Sequence, residues 1–207
     1  MNRTPLTKLS NISYIARLPE RWVVAGLMLV ATVARFASIT KASIWHDEGF
    51  TVMLASRTPT EIWAGSARDV HPPLYYELLH MWMRIFGTTE LAVRSLSAVA
   101  GLITIFIGYK LVKRYFGRAA ATITLSILAV APMLVRYGQE ARMYGILGVF
   151  LLGGTYALLR ATEHLPRPDL DRRWLSAYVL LMAAGLYTHY FAALAIMAHW
   201  LYLMTLE

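Results

Sequence analysis

The chain has no cysteine among its 207 residues. Disulfides, thiolate metal centres and cysteine nucleophiles are therefore excluded, and any nucleophile or base must be an oxygen or a nitrogen. Charge is scarce as well: 15% of residues are Asp, Glu, Lys or Arg against 57% hydrophobic ones, with a mean hydropathy of +0.49. That balance is too apolar for an ordinary soluble domain of this length. The formal net charge of +8 is scattered between apolar runs and forms no single patch with interleaved aromatics, which argues against nucleic acid as a partner. Internal repeats, low-complexity tracts and soluble-domain linkers are missing too. Residues 1–207 therefore read as one membrane domain of the all-α class, a polytopic bundle of transmembrane helices.

What is present is a series of apolar segments. The first, 22–39, is long enough at roughly 1.5 Å per residue to cross most of a roughly 30 Å hydrocarbon core. Arg3, Lys8, Arg17 and Arg21 precede it and mark 1–21 as a cytoplasmic tail. A cleavable signal peptide would need an unusually long n-region, and Arg35 lies near any cleavage site it could use, so the segment reads as an uncleaved span. Further spans fall within 91–206: at 91–112, 119–135 and 143–159, then in an apolar block over 174–206. That block is too long for one span and short for two, and its expected break is Thr188-His189-Tyr190-Phe191.

Residues 40–90 form an extracytoplasmic loop with juxtamembrane helices. Thr58-Pro59-Thr60-Glu61 reads as a capping box starting a short helix that Gly65 would end. Over 73–86, a helix would place Glu77, His80 and Arg84 on one face and Leu74, Leu78, Trp82, Ile85 and Phe86 on another, the pattern of a helix lying in the interface. Pro72 and Pro73 suit its first turn and Gly87 its end. The rival reading is a short span, which would invert everything after it. Charge bias favours the interfacial reading, because the inner loops then receive Lys110, Lys113, Arg114 and Arg118, and later Arg160, Arg167, Arg172 and Arg173. Pro166-Arg167-Pro168-Asp169 then lies in an inner loop. The other side collects Asp47, Glu48, Asp69, His71, Arg94, the 136–144 segment and His189.

Adjacent carboxylates at the rim of a span, as in Trp45-His46-Asp47-Glu48, are costly in hydrocarbon and point to chemistry at the membrane surface. A carboxylate facing a dry site can accept a proton from an acceptor hydroxyl. The competing reading makes Asp47 a helix cap and leaves Glu48 solvated. His46, Asp47, Glu48, Asp69 and His71 could together hold a divalent ion, although their spacing matches no metal motif. His71, followed by two prolines, could present a rigidly placed donor. Arg94, and Arg136 and Arg142 around the outer turn with Tyr144, have forked donors that suit a phosphate, or they could snorkel to headgroups. Tyr144 and His189 join the candidate substrate-binding residues, although His189 could equally be an interhelical residue satisfied by its neighbours.

Five ordered motifs carry a family resemblance: Trp45-His46-Asp47-Glu48, Asp69-Val70-His71-Pro72-Pro73-Leu74-Tyr75-Tyr76, Arg94-Ser95-Leu96-Ser97-Ala98, Tyr137-Gly138-Gln139-Glu140-Ala141-Arg142-Met143-Tyr144 and Thr188-His189-Tyr190. Together they resemble glycosyltransferase family 39, which includes protein O-mannosyltransferases and the aminoarabinose transferases of lipid A, with the multi-spanning GT-C fold. The resemblance implies a polyprenyl-phosphate-linked sugar donor, a lipid, glycan or protein acceptor, transfer with inversion, and an extracytoplasmic active site on an integral plasma-membrane protein. It implies Asp47 as the catalytic carboxylate with Glu48 beside it, His71 in substrate binding, and Arg94 and Arg142 on the lipid phosphate. Trp45, Tyr75, Tyr76 and Tyr144 could pack against a sugar ring, and an aromatic belt at the interface explains them equally well. Family members are typically longer, so the chain reads as the N-terminal half of the module. The alternative is a truncated, non-catalytic lipid-phosphate-binding or scaffold subunit; a transporter is disfavoured by the lack of inverted repeats.

Overall fold

The structure is a computed structural model that describes residues 19–163 and 171–206. The expected tail residues Arg3, Lys8 and Arg17 and the inner-loop segment Pro166-Arg167-Pro168-Asp169 lie outside the described residues. Among those described, the secondary structure is helical: α1 (Glu20–Phe36), α2 (His46–Ala55), α3 (Pro59–Ser66), α4 (Leu74–Phe86), α5 (Glu90–Val130), α6 (Pro132–Gly138), α7 (Tyr144–Thr162), α8 (Arg172–Thr188) and α9 (Ala192–Met204). Two of them, α5 and α7, are long and apolar enough to cross a membrane. Large apolar side chains on α1, α8 and α9 face outward, among them Trp22, Leu29, Leu180, Met197 and Trp200. Such a surface is unfavourable in water and natural in lipid.

The 41 residues of α5 are two antiparallel helices joined at Gly117, which has φ 83° and ψ 176°. That region is essentially closed to residues with a Cβ, so the glycine lets the chain reverse almost without a loop. Helix covers the segment 91–112 and runs on to the turn, whereas the segment expected at 119–135 is helical only as far as Val130 before it breaks. Ala131 has ψ 119°, the conformation favoured before a proline, and Pro132 then starts the separate α6. The break expected between two late spans falls where anticipated, α8 ending at Thr188 and α9 starting at Ala192.

One end of the bundle is tied by ion pairs. Lys113 meets Glu20 at 2.6 Å, and Arg160 meets Glu163 at 3.2 Å. Tyr109 also donates to Glu20, and Arg114 Nε donates to Glu163 at 3.0 Å. Arg160 also lies over the Trp174 ring at 5.0 Å, so the starts of α1 and α8 sit with the Gly117 turn and the end of α7, the end that carries these basic residues.

The opposite end is capped by α2, α3 and α4. In the box that starts α3, the amide of Thr58 donates to Glu61 Oε2 at 3.0 Å, and the Thr58 hydroxyl donates to the same oxygen at 2.6 Å. The helix runs one residue past Gly65. At 13 residues, α4 is about 20 Å long, short of a roughly 30 Å core, and it lies against the first turns of α5. Trp82 Nε1 donates to the Ala92 carbonyl at 3.0 Å, and the Tyr75 hydroxyl is 3.2 Å from Ser97 Oγ. The expected apolar face is corrected here: Tyr75, Tyr76, Leu79 and Met83 are buried, whereas Ile85 and Phe86 are exposed. The helix packs on protein through its tyrosine side, and its last turn projects away. Tyr75, Tyr76, Leu79 and Met83 join Leu54, Ile62, Val93 and Met143 in one core cluster, while Ala31, Ile105, Tyr109 and Leu125 form a second one deeper in the bundle.

Candidate active site

Helix α2 begins with Asp47 and Glu48 in its first turn, where carboxylates complement the helix dipole. The helical turn sends the two side chains in different directions. Asp47 remains 43% exposed, and Glu48 is fully buried. Glu48 accepts from Arg94 Nε at 2.9 Å, from Arg94 Nη2 at 2.7 Å and from the Ala141 amide at 2.7 Å. Burial pushes its pKa upward, but these donors outweigh burial and hold the carboxyl below its ordinary value. Glu48 is thus neither solvated nor placed to take a proton.

Arg94 is 2% exposed. Besides its two bonds to Glu48, Nη1 donates to the carbonyls of Ile39 and Ala42 at 2.7 and 2.8 Å, and Nη2 donates to that of Ser43 at 3.2 Å. A guanidinium has five N–H donors, and all five are spent inside the protein. This corrects the expectation that Arg94 holds a phosphate at the mouth of a span. In this geometry it fastens α2 and the turn after α1 onto α5, and through Glu48 it fixes the backbone at Ala141, next to Arg142.

The free face of Asp47 opens into a cavity of about 270 Å³ lined by His46, Asp47, Phe50, Asp69, Val70, His71 and Arg142. Arg142 is 6% exposed and loosely held: Nη2 is 3.7 Å from Asp47 Oδ2, Nη1 is 3.5 Å from both the Asp47 carbonyl and Thr51 Oγ1, and Nε has no partner. A buried cation with spare donors beside a half-exposed carboxylate can take an anion on one side and leave the carboxylate free for a proton on the other.

His71 is oriented by Asp69, whose Oδ2 lies 3.3 Å from its Nδ1 and accepts from the Tyr76 hydroxyl at 2.7 Å. Burial works to raise the Asp69 pKa, yet Tyr76, the Val70 amide and His71 together keep it low, and burial with the Asp69 charge pushes the Tyr76 phenol up. With Nδ1–H directed at a carboxylate, Nε2 of His71 is left for another partner. His189, in the break between α8 and α9, packs its ring 5.4 Å from that of His71 and 6.5 Å from that of Tyr144. The Phe191 amide donates to its Nδ1 at 3.1 Å. Burial, then the nearby His71 and Arg142, hold the His189 pKa below its usual value. Tyr144 lies 6.0 Å from the Arg142 guanidinium in cation–π fashion. Five of the seven expected site residues, Asp47, His71, Arg142, Tyr144 and His189, therefore gather in one place, with the Glu48–Arg94 pair behind them.

The five residues that could have held a divalent ion do not come together: Glu48 turns into its pair with Arg94, and among the described residues no three His, Asp or Glu side chains gather in a way that could hold a metal ion. Arg136 is exposed and pairs with Glu140 at 3.2 Å. Sequence reasoning missed Tyr76 as the second donor to Asp69, whose spacing of seven residues on one chain segment was the available signal. It also missed Thr51 and the Ala141 amide, which no local pattern marks.

Residues 70–207, which carry His71, Arg142, Tyr144 and His189 but not Asp47, match the family described as dolichyl-phosphate-mannose-protein mannosyltransferase. This chain belongs to that family. Curated relatives include two candidate mannosyltransferases of Bacillus subtilis (strain 168). YycA is 32% identical over 151 residues, covering 67% of this chain and 22% of YycA, and YkcB is 31% identical over 90 residues, covering 44% and 13%. The polyprenol-phosphate-mannose–protein mannosyltransferase of Corynebacterium glutamicum is 33% identical over 97 residues, covering 46% of this chain and 19% of the relative. The matched part of the chain spans between 13% and 22% of the length of these relatives. No solved structure gives a significant match. An all-α membrane protein of a glycosyltransferase family is thus established by the helices and the family match together.

Proposed function

We propose that this protein moves a mannose-like hexose from a polyprenyl-phosphate donor to a hydroxyl of an acceptor, with inversion, on the extracytoplasmic face of the plasma membrane. The observation that carries the reading is the half-exposed Asp47 carboxylate 3.7 Å from the buried, incompletely bonded Arg142. The acceptor oxygen attacks the anomeric carbon on the face opposite the phosphate, and Asp47 takes the hydroxyl proton. The carbon–oxygen bond to the phosphate breaks, and polyprenyl phosphate leaves with its new charge stabilised by Arg142. One displacement inverts the centre. The Asp47–Arg142 contact is longer than a hydrogen bond, so an arriving phosphate can draw Arg142 to itself and release the base. His71 and His189 line the approach, and Tyr144 offers an aromatic face.

The basic end of the bundle supports an orientation with Lys113, Arg114 and Arg160 inside, which puts the Asp47 cavity outside. The name of the Corynebacterium relative specifies a polyprenol-phosphate-mannose donor and a protein acceptor, and a lipid or glycan hydroxyl would meet the same chemistry. The test is transfer by the full chain in liposomes supplied with polyprenyl-phosphate-mannose and a panel of acceptors, with the product's anomeric configuration read by NMR. Inverted product is expected. Retained configuration contradicts a single displacement, donor binding without turnover makes the chain a lipid-phosphate-binding subunit, and neither binding nor transfer across the panel removes the proposal.

A further inference from the structure

Arg35, in the last turn of α1, is fully buried. Its Nη1 donates to the carbonyls of Ala31 and Ala129 at 3.1 and 3.0 Å, and Nη2 donates to that of Leu128 at 3.3 Å. Leu128 and Ala129 belong to the last turn of α5, where helix carbonyls lack partners and Pro132 cannot supply an N–H. Part of the cation is thereby balanced by a helix C-terminus. The balance is incomplete: no carboxylate pairs with Arg35 among the described residues, and its buried Nε has no hydrogen-bond partner.

Arg35 lines a separate cavity of about 110 Å³ that it shares with Gly101, Thr104, Tyr137, Tyr144 and Gly148. Roughly 30 Å³ per water in the liquid makes this the room of a phosphate-sized group. Glycine keeps the approach to the guanidinium open, since a Cβ at Gly101 would stand 3.4 Å from Nε, and one at Gly138 would stand 3.4 Å from Cγ and Cδ. Among the described residues, Arg35 is the only charged one lining the cavity, and the walls are otherwise hydroxyls, glycine faces and apolar side chains. Val33, Val130 and Met133, close in sequence to the lining and adjoining residues Arg35, Ala129 and Leu134, are exposed apolar side chains. The paired rings of Tyr137 and Tyr144, 4.7 Å apart, stand between this cavity and Arg142.

We propose that the Arg35 cavity is a second anion site, which takes the phosphate of a membrane lipid entering from the bilayer side, behind the tyrosine pair that borders the Asp47 site. The donor set fits an anionic oxygen, the apolar walls fit a lipid-borne one, and the unspent Nε–H supplies the charge-assisted bond. This inference goes beyond the proposed reaction, because it holds whether or not Asp47 acts as a base.

The test uses the full chain carrying Arg142→Gln, which removes the donor-site arginine, in phosphatidylcholine nanodiscs. Retention of phosphatidic acid, polyprenyl monophosphate and inorganic phosphate is measured by native mass spectrometry. The expected result is saturable retention of one or both lipid phosphates, at least ten-fold weaker when Gly101→Ala crowds Nε while leaving the charge, and similarly weaker in Arg35→Gln and Gly138→Ala. Which lipid is retained identifies the source. Three results overturn the proposal: no lipid-phosphate retention in the Arg142→Gln background, retention unchanged by the folded Gly101→Ala and Gly138→Ala variants, or retention of inorganic phosphate as tight as that of the lipids. Loss of sugar transfer in Arg142→Gln bears on the proposed reaction alone.

Discussion

Replacing Glu48 with Gln removes a charge that accepts three hydrogen bonds, two from Arg94 and one from the Ala141 amide, and leaves a 2%-exposed guanidinium without its counter-ion. Breaking a buried ion pair on one side costs about 3–5 kcal/mol, and for a chain of this size roughly 2–4 °C of melting temperature follows each kcal/mol, so a fall of about 6–20 °C is expected. Arg94→Met should be worse still, since it also strips partners from the carbonyls of Ile39, Ala42 and Ser43. The dependence on pH has a definite sign. The Glu48 pKa lies below its ordinary value in the folded protein, so its contribution is complete above the unfolded carboxylate's pKa and is lost as the pH falls through the folded one. Thermal unfolding of the purified protein in detergent, for wild type and both variants between pH 7 and acid, measures all three effects. A melting temperature for Glu48→Gln within about 1 °C of wild type would refute the reasoning, because it would mean the pair contributes no more than an exposed surface salt bridge.

Gly117→Ala forces a Cβ into a backbone region with φ 83° and ψ 176° and should cost about 1–3 kcal/mol; an unchanged melting temperature would show that the turn can rearrange freely. His189 should titrate below the usual histidine range and be neutral at pH 7, as its acceptance of the Phe191 amide requires; NMR of labelled histidine reads this directly, and a raised value would contradict it. Any stability His189 adds is complete above the unfolded histidine's pKa and declines as the pH falls below it. Tyr76→Phe deletes a hydrogen bond to a charged, largely buried Asp69 worth about 1.5–3 kcal/mol and should also loosen His71, raising the KM for donor more than it lowers kcat.

Much of this arrangement was legible because it is local. The capping box at Thr58, the break at 188–191 and a short amphipathic α4 all depend on neighbours within a few residues, and each is found. Residues named for chemistry were also well placed as a group, since the topology that sorts charge to one face brings Asp47, His71, Arg142, Tyr144 and His189 together. What the sequence could not reveal depends on distant partners. Arg94 looks like a free cation at the mouth of a span until Glu48, 46 residues away, and the turn carbonyls come around it. Arg35 looks like a flanking charge until the end of α5 folds over it. On α4 the amphipathic pattern was right in kind and wrong in face, because Tyr75 and Tyr76 meet hydroxyl and carboxylate partners that only the fold supplies.

The central claim is that Asp47 takes the acceptor's proton while Arg142 holds the donor, and Asp47→Asn separates those roles because it keeps the shape and removes the base. Transfer of mannose from polyprenyl-phosphate-mannose should be measured for wild type and variant in liposomes, with donor affinity measured alongside. The account predicts a fall in kcat of about 10²–10⁴-fold with donor Kd changed less than a few-fold. Transfer by the variant at a rate near wild type would contradict it, as would a loss of activity explained wholly by lost donor binding.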